Sequence, residues 1–223
     1  MGIVFGFLAP VLVLALLGLV AAGVVGFQRG HLTLATIVHV YTALVLGICI
    51  ILTLSGGALL LKALASAAIA PDFSYQTAEY PRGTPPPGVV EPPRPSAAEH
   101  AATQAADDLT AGLTLLVLGG VLGVLHSLGK AAAARHDTDH AGAIERGYAV
   151  GLLLVGTAVG LTSGTLLLND LLRRYVVTTA AAPPYAQPHP GGALGFALTF
   201  VPLWAYFGRR AWHLLVAMPR GPR

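Results

Sequence analysis

The sequence contains few charged residues and a single cysteine. Lys, Arg, Asp and Glu together make up 10% of the 223 residues, and apolar residues make up 55%. A soluble domain has roughly 25% charged residues, so this composition argues against a soluble fold and indicates an integral membrane protein. The lone Cys49 cannot form an intramolecular disulfide.

The sequence also lacks the motifs that carry common chemistries. Its glycine clusters lie inside apolar runs and so do not form a phosphate-binding loop. No Ser-His-Asp or Cys-His set and no pair of carboxylates is recognisable. The net charge is +3, but no basic patch with interleaved aromatics accompanies it. These absences predict that the protein is not an enzyme and does not bind nucleic acid.

What the sequence does contain is long apolar runs. Five of them are long enough to cross a hydrocarbon core of roughly 30 Å as helices. They cover residues 3–26, 33–66, 109–129, 147–172 and 193–213. No Lys or Arg precedes the first run, which is expected to be a retained span rather than a secretory signal. The predicted fold class is all-α: a polytopic transmembrane helical bundle of five spans, forming a single membrane domain over residues 1–223.

Two of these spans resemble each other at an offset of 107 residues. Residues 37–64 align with residues 144–171 without a gap, and Tyr41 falls on Tyr148. An even number of spans separates the two copies, so the repeat is parallel. The pattern predicts a duplicated helical hairpin plus a final helix. Its parts are repeat one (3–66), an extracytoplasmic proline-rich loop (67–108), repeat two (109–172) and the final span (193–213).

Small residues recur at four-residue spacing in three of the spans. This spacing places them on one face of a helix, where they let two backbones approach closely in lipid. The predicted helix-packing residues are Cys49, Thr53, Gly57, Gly119, Gly123, Ser127, Gly156, Gly160 and Gly164. Such faces serve either the internal packing of the protein or a partner subunit.

The distribution of positive charge predicts the orientation in the membrane. With five spans, eight Lys and Arg residues fall on one side and four on the other, with Lys62 near the end of a span. The positive-inside rule then places the N-terminus outside and the C-terminus in the cytoplasm. The predicted location is the bacterial inner (plasma) membrane, with the lipid bilayer and other membrane subunits as partners.

Two histidines fall at matched depth in neighbouring spans. His39 lies near the start of the second span, and His126 lies about one turn from the end of the third. Two facing imidazoles are what a six-coordinate haem requires, and one suffices for a chlorophyll-type pigment. The pattern therefore allows a site for haem b or such a pigment. The competing interpretation, which predicts no cofactor, is that each histidine bonds to a neighbouring helix.

Two further polar groups have structural and functional interpretations. The run His136-Asp137-Thr138-Asp139-His140 offers ligands at metal-like spacing, but it lacks a Cys pair or a His-Glu-x-x-His helix signature and is predicted to be a solvated turn. Asp170 lies near the end of a span, where it is expected to pair with Arg173 or Arg174. Neither pattern predicts a metal site.

Three short motifs resemble those of a bacterial family of small multi-span membrane proteins, classified as a domain of unknown function. They are Val40-Tyr41 in the second span, Pro71-Asp72-Phe73-Ser74-Tyr75 just beyond it, and Arg146-Gly147-Tyr148 at the start of the fourth. The resemblance covers about residues 31–213. It implies an integral-membrane helical bundle and supplies no catalytic residues.

The function predicted from these observations is non-enzymatic. The chain is expected to be an accessory or scaffold subunit that packs in the membrane against a larger complex, for which a respiratory or photosynthetic complex is a natural host. The first alternative is a haem- or pigment-binding electron-transfer subunit that uses His39 and His126. The second alternative is a small-solute transporter, which requires a polar cavity between the repeats.

Overall fold

The computed structural model describes residues 33–77, 95–177 and 187–216. The predicted first span, 3–26, lies outside them. All regular secondary structure in the described residues is helical. The helices are α1 (Leu34–Ala68), α2 (Pro71–Ser74), α3 (Ala97–His136), α4 (Ala141–Tyr175) and α5 (Gly191–Val216).

Side-chain caps fix where two of the long helices begin. The Thr33 hydroxyl accepts a hydrogen bond from the backbone N–H of Thr36 at 3.2 Å, which starts α1. A reciprocal capping box between Ser96 and Glu99 starts α3. The structure therefore differs from the predicted loop 67–108, because the last twelve residues of that range, 97–108, belong to α3. The cap forms directly after Pro95, the last proline of the loop, so the helix starts earlier than the apolar run does.

Four of the described helices, α1, α3, α4 and α5, are long and apolar enough to cross a membrane. They correspond to the last four of the five predicted spans. α1 and α4 each have 35 residues, and α3 has 40. At about 1.5 Å per residue these helices are 50 to 60 Å long, well beyond the hydrocarbon thickness of roughly 30 Å.

Helix α1 lies between α3 on one side and the pair α4 and α5 on the other. α3 packs along α1, α4 packs along α5, and α1 also contacts both α4 and α5. α3 and α4 are joined by a short turn, but their main packing partners are α1 and α5. The two spans of the predicted second repeat are thus neighbours in sequence without packing along each other.

The bounds of α1 and α4 are related by the same 107-residue offset that the sequences share. Their surroundings nevertheless differ. Tyr41 of α1 is 59% exposed, whereas its counterpart Tyr148 of α4 is 4% exposed. A common ancestral hairpin for the two helices stays a prediction.

The apolar core lies where α1, α4 and α5 meet. Its best-buried members include Ile51, Leu152, Val155 and Phe200. Tyr148 joins them and packs edge-on against Phe207, with ring centroids 5.9 Å apart. This core leaves α3 on the outside of α1, and it leaves polar side chains concentrated at the two ends of the helices.

Candidate functional site

The best-buried carboxylate in the described residues is Asp137, which ends α3 as its C-cap. It is 4% exposed. Its Oδ1 accepts a hydrogen bond from the Thr36 hydroxyl at 3.1 Å and lies 3.1 Å from Nδ1 of His140. Its Oδ2 lies 3.3 Å from Nδ1 of His39, which is 1% exposed. We call these four residues the Asp137 cluster; it fastens the α3–α4 turn to the start of α1.

The Asp137 cluster stabilises the ionised carboxylate. Burial raises the pKa of the Asp137 carboxyl, but hydrogen bonds from His140, His39 and Thr36, together with the charge of His140, outweigh burial, and the net effect is a lowered pKa. An ionised carboxylate accepts hydrogen bonds and donates none, so both imidazoles present Nδ1–H to it. The site therefore favours a charged aspartate in a buried position.

A second charged cluster lies at the same end of the helices. Glu145 of α4 forms ion pairs with Lys130 of α3 and, at 2.6 Å, with Arg210 of α5. The Lys130 ammonium also lies 4.1 Å from the centroid of the Tyr148 ring, and Arg210 donates to the Tyr206 hydroxyl at 3.3 Å. Glu145 thus links α3, α4 and α5 through side-chain ion pairs, although α3 and α4 do not pack along each other.

The opposite end is closed by the short helix α2. Arg174 of α4 pairs with the Asp72 carboxylate at 2.6 Å and donates to the Asp72 carbonyl at 3.0 Å. Nδ1 of His189, just before α5, lies 2.7 Å from the same carbonyl. The buried Phe73 ring lies 5.9 Å from the Arg174 guanidinium. The prediction was that Asp170 pairs with Arg173 or Arg174; these contacts correct it for Arg174, because α2 brings Asp72 into reach from 102 residues away.

The residues beside α2 continue this network to α3. The Ser74 hydroxyl donates to the Lys62 carbonyl at 2.8 Å. The carboxylate of Asp108 accepts from the Tyr75 hydroxyl at 2.9 Å and pairs with the Lys62 ammonium at 2.7 Å. Burial, the hydrogen bond to Asp108 and the negative charge of Asp108 all raise the pKa of Tyr75. The Pro71–Tyr75 motif is thus a point where α1, α3, α4 and α5 are connected.

The two predicted cofactor histidines contact different sides of α1. His39 bonds to Asp137, whereas the His126 ring lies against Tyr41, with ring centroids 6.0 Å apart. Residues 39 and 41 are about 200° apart around a helix, so these contacts lie on nearly opposite faces of α1. Nδ1 of His126 also bonds to the carbonyl of Leu122 at 2.8 Å. The structure does not bring the two imidazoles together as a facing pair, and a tetrapyrrole site stays a prediction.

Two of the three predicted helix-packing residues of α3 lie against α1. A Cβ atom on Gly119 would come within 2.8 Å of the Cys49 carbonyl oxygen and the Thr53 nitrogen, and one on Gly123 would lie 3.5 Å from the Cys49 side chain. Ser127 is exposed instead, and its hydroxyl bonds to the Val124 carbonyl of its own helix.

The predicted glycines of the other two faces lie mainly against α5. A Cβ on Gly57 would lie 3.4 Å from Thr199, one on Gly156 would lie 3.0 Å from the Trp204 backbone, and one on Gly160 would lie 3.7 Å from Val201. Gly164 has open space around it. The predicted faces thus contribute to internal packing at most positions.

The sequence interpretation missed two features of the site. One is the close contact of Gly56 with Gly112, where a Cβ on either glycine would come within 2.9 Å of the other's backbone. The other is the burial of Asp137, which was predicted to lie in a solvated turn. Thr36 and His39 are three residues apart at the start of α1 and so share a face. That pair of polar residues on a membrane helix was the available signal for a buried polar partner.

The charged and polar groups of these clusters are bonded to one another, which suits fixed contacts between helices. In the part of the chain that the structure describes, no group of three or more His, Cys, Asp or Glu side chains is arranged to hold a metal ion. No protein-family model matches the chain, and comparison with curated proteins and with solved structures gives no match. The geometry of the helices therefore carries the functional argument.

Proposed function

We propose that the chain is a non-enzymatic membrane subunit that packs laterally against another membrane protein through α3. The observation that carries this proposal is the exposure of α3. Among the described helices, α3 packs along α1 alone. Of its most apolar stretch, 11% is buried, against 33% for α1 and for α4. The other described helices therefore leave most of the apolar surface of α3 uncovered, as a helix that binds a neighbour requires.

The free surface of α3 contains a regular stripe. Leu113, Val117, Gly120 and Val124 follow one another at spacings of four, three and four residues, which places them along one side of the helix. The three apolar side chains are exposed, and a Cβ atom on Gly120 would meet nothing within 4 Å. A glycine between exposed apolar residues lets a second helix come close in lipid. The stripe therefore fits a partner helix.

Helix α3 also extends beyond the end of α1. Asp108 of α3 pairs with Lys62, six residues before the end of α1, whereas eleven residues of α3 (97–107) precede Asp108, so α3 continues for about five residues past the end of α1. This extension carries Glu99 and His100, so it is polar. It gives the subunit a helical surface outside the hydrocarbon region, on the side predicted to be extracytoplasmic.

The interior of the molecule favours packing over transport or electron transfer. The region where α1, α4 and α5 meet is filled by apolar side chains such as Ile51 and Phe200, whereas a solute path needs polar groups there. His39 is engaged with Asp137 rather than facing His126. These features favour a packing subunit of a larger complex, which we propose to lie in a bacterial plasma membrane with its N-terminus outside.

The test is to replace Gly120 by leucine and to purify the tagged protein from its own membranes in mild detergent. The added side chain meets open space in the subunit itself, so the fold is retained while close approach of a partner is blocked. Gly164→Leu is the matched control, because a Cβ on Gly164 also meets nothing within 4 Å but lies on α4. We expect a second subunit in stoichiometric amount with the wild type and with Gly164→Leu, and its loss with Gly120→Leu. Equal recovery with all three proteins, or no second subunit with any, would overturn the proposal.

A further inference from the structure

The histidine just before α5 has two ring nitrogens in different surroundings. Nδ1 of His189 lies 2.7 Å from the carbonyl oxygen of Asp72. Because a carbonyl oxygen only accepts, Nδ1 carries the proton, and the bare nitrogen of the neutral ring is Nε2. Nε2 is buried and has no hydrogen-bond partner among the described residues. The neutral ring thus satisfies its one donor, whereas a protonated ring gains a donor that meets no acceptor.

The backbone around His189 is held close to α2. Pro190 is fully buried and restricts the preceding residue to an extended backbone, and its carbonyl accepts from the Leu194 N–H at 2.8 Å. A Cβ atom on Gly191 would come within 2.8 Å of the Ser74 Cβ, so the start of α5 fits tightly against α2. The backbone that carries the imidazole therefore stays beside Asp72 for as long as this contact is closed.

A positive charge on His189 would lie beside an existing cation. The Arg174 guanidinium donates to the same Asp72 carbonyl at 3.0 Å, and it also pairs with the Asp72 carboxylate at 2.6 Å. In the described part of the chain, no carboxylate lies within ion-pair distance of the His189 ring. The charged groups on the helices at this junction are Lys62 of α1, Asp72 of α2, Asp108 of α3, and Asp170, Arg173 and Arg174 of α4.

The remaining carboxylates at the junction have other partners. Asp108 pairs with Lys62 at 2.7 Å, and Asp170 accepts from the side chain of Asn169 at 3.4 Å. Neither is placed to accept from a second N–H of the His189 ring. A buried N–H without an acceptor and a second cation next to Arg174 both disfavour protonation in the closed arrangement.

From these observations we infer that His189 is an acid-sensitive latch between α2 and the start of α5. The neutral ring holds the Asp72 carbonyl through Nδ1–H and keeps the latch closed. A proton taken up at Nε2 favours an open arrangement, in which the ring reaches water.

The direction of the pH dependence follows from where the proton binds. Histidine in an unfolded chain gains its proton as the pH falls through about 6.5. The open arrangement accepts this proton more readily than the closed one, so the closed latch loses stability as the pH falls below about that value. This end of the helices is predicted to lie outside the cytoplasm, where the latch would respond to the external pH. The latch does not involve the α3 stripe and is independent of the partner proposed for α3.

Thermal unfolding of the full chain in one detergent at pH 8 and at pH 5 tests the latch. In His189→Asn the side-chain amide can still donate to the Asp72 carbonyl, but it does not titrate in this range. His100→Asn is the matched control, because His100 is an exposed histidine at the same end of the helices. Between pH 8 and pH 5 we expect the melting temperatures of the wild type and of His100→Asn to fall by several degrees more than that of His189→Asn. The other histidines, such as His39 and His140, titrate in all three proteins and cancel in this comparison.

Hydrogen exchange of the wild type locates the opening. After correction for the intrinsic pH dependence of exchange, we expect a several-fold loss of protection at pH 5 in peptides that cover residues 71–75 and 191–194. Peptides from the middle of α1 should keep their protection. This measurement needs no variant, so it decides the proposal even where His189→Asn does not fold.

Three outcomes would overturn the inference. An equal fall in melting temperature for the wild type and His189→Asn shows that His189 is not the group that titrates. A wild type that gains stability over His189→Asn at pH 5 shows that the Asp72 carboxylate holds the protonated ring. Unchanged protection of residues 71–75 in the wild type shows that α2 stays closed in acid.

Discussion

Asp137 shows how one buried charge fixes the end of a membrane helix. Its carboxylate contacts Thr36, His39 and His140, and so joins the α3–α4 turn to the start of α1. Asparagine keeps one acceptor oxygen but sets an NH2 donor against one of the groups that now donate to the carboxylate, and a buried donor that loses its acceptor costs about 1 to 3 kcal/mol. We therefore expect Asp137→Asn to lower the free energy of unfolding by that amount.

Thermal unfolding in detergent micelles measures the effect of Asp137→Asn. The control is Asp139→Asn, because Asp139 lies two residues away in the same turn and is exposed. A surface change of this kind shifts stability by less than about 0.5 kcal/mol. Equal melting temperatures for the two variants would contradict the account of the Asp137 cluster.

The lowered pKa of Asp137 gives stability a defined dependence on pH. A carboxyl whose pKa is lower in the folded than in the unfolded protein contributes stability above the unfolded pKa, and loses it as the pH falls through the folded pKa. The unfolded value is about 4. We expect the difference in melting temperature between the wild type and Asp137→Asn to stay constant from pH 6 to about pH 4 and to shrink as the pH falls from about 4 towards 3. A constant difference over that range would show that the charge of Asp137 is not what holds the turn.

At the residue scale, the sequence predicts the type of contact that a side chain makes better than it predicts the residue that it contacts. The close-packing role of Gly119 follows from its spacing to Gly123 and from the scarcity of midspan polar groups. The partners of Asp72 and Asp137 lie about a hundred residues away in sequence, and no local pattern encodes such a pairing. The resulting errors were the pairing of Arg174 and the solvated turn at Asp137.

At the scale of elements, the contact between α1 and α3 depends on backbone approach. A Cβ on Gly119 would press on the backbone of α1, whereas one on the adjacent Gly120 meets open space. We expect Gly119→Ala to destabilise the protein by about 1 to 3 kcal/mol through overpacking. Gly120→Ala, in contrast, is expected to be neutral or to stabilise α3 by up to about 1 kcal/mol through helix propensity.

Chemical or thermal unfolding of the two glycine variants in one detergent decides this prediction. The two positions are neighbours on one helix, so effects of helix propensity and insertion are nearly the same for both. A loss of stability at Gly120 equal to that at Gly119 would show that α3 does not approach α1 through this face.

The short helix α2 is the second element whose contacts can be tested. Arg174 bonds to the side chain and the carbonyl of Asp72, while the adjacent Arg173 is exposed. Hydrogen bonds to charged groups contribute about 1.5 to 3 kcal/mol, so we expect Arg174→Gln to destabilise by an amount in that range. Arg173→Gln should remain within about 0.5 kcal/mol of the wild type. Thermal unfolding of both variants, without added denaturant, measures the difference. Similar melting temperatures would show that the contacts of Arg174 with Asp72 do not stabilise the protein.

The four described spans could be predicted from hydropathy alone, because apolar length is a direct consequence of bilayer thickness. Which of these spans pack against one another could not be predicted from hydropathy. The 107-residue repeat suggested that spans 109–129 and 147–172 form a hairpin, yet α3 packs along α1 and α4 along α5. Glycine contacts and terminal ion pairs decide that arrangement, and both are relations between distant parts of the chain.

At the scale of the whole molecule, one lateral surface is left uncovered by the other described helices. The α3 stripe has an open glycine between apolar residues. The charged clusters at both ends hold the helices in register and leave this lateral face uncovered. This division suits a subunit whose role is to assemble with other membrane proteins.

Native mass spectrometry of the protein ejected from its own membranes tests that role most directly. We expect complexes whose mass exceeds that of one or two copies of the 22.9 kDa chain by the mass of a further subunit. Release of that subunit in Gly120→Leu, with the mass of the chain itself unchanged apart from the substitution, would assign the subunit to α3. Masses at one or two times the chain alone, in every membrane preparation, would contradict the account of an accessory subunit.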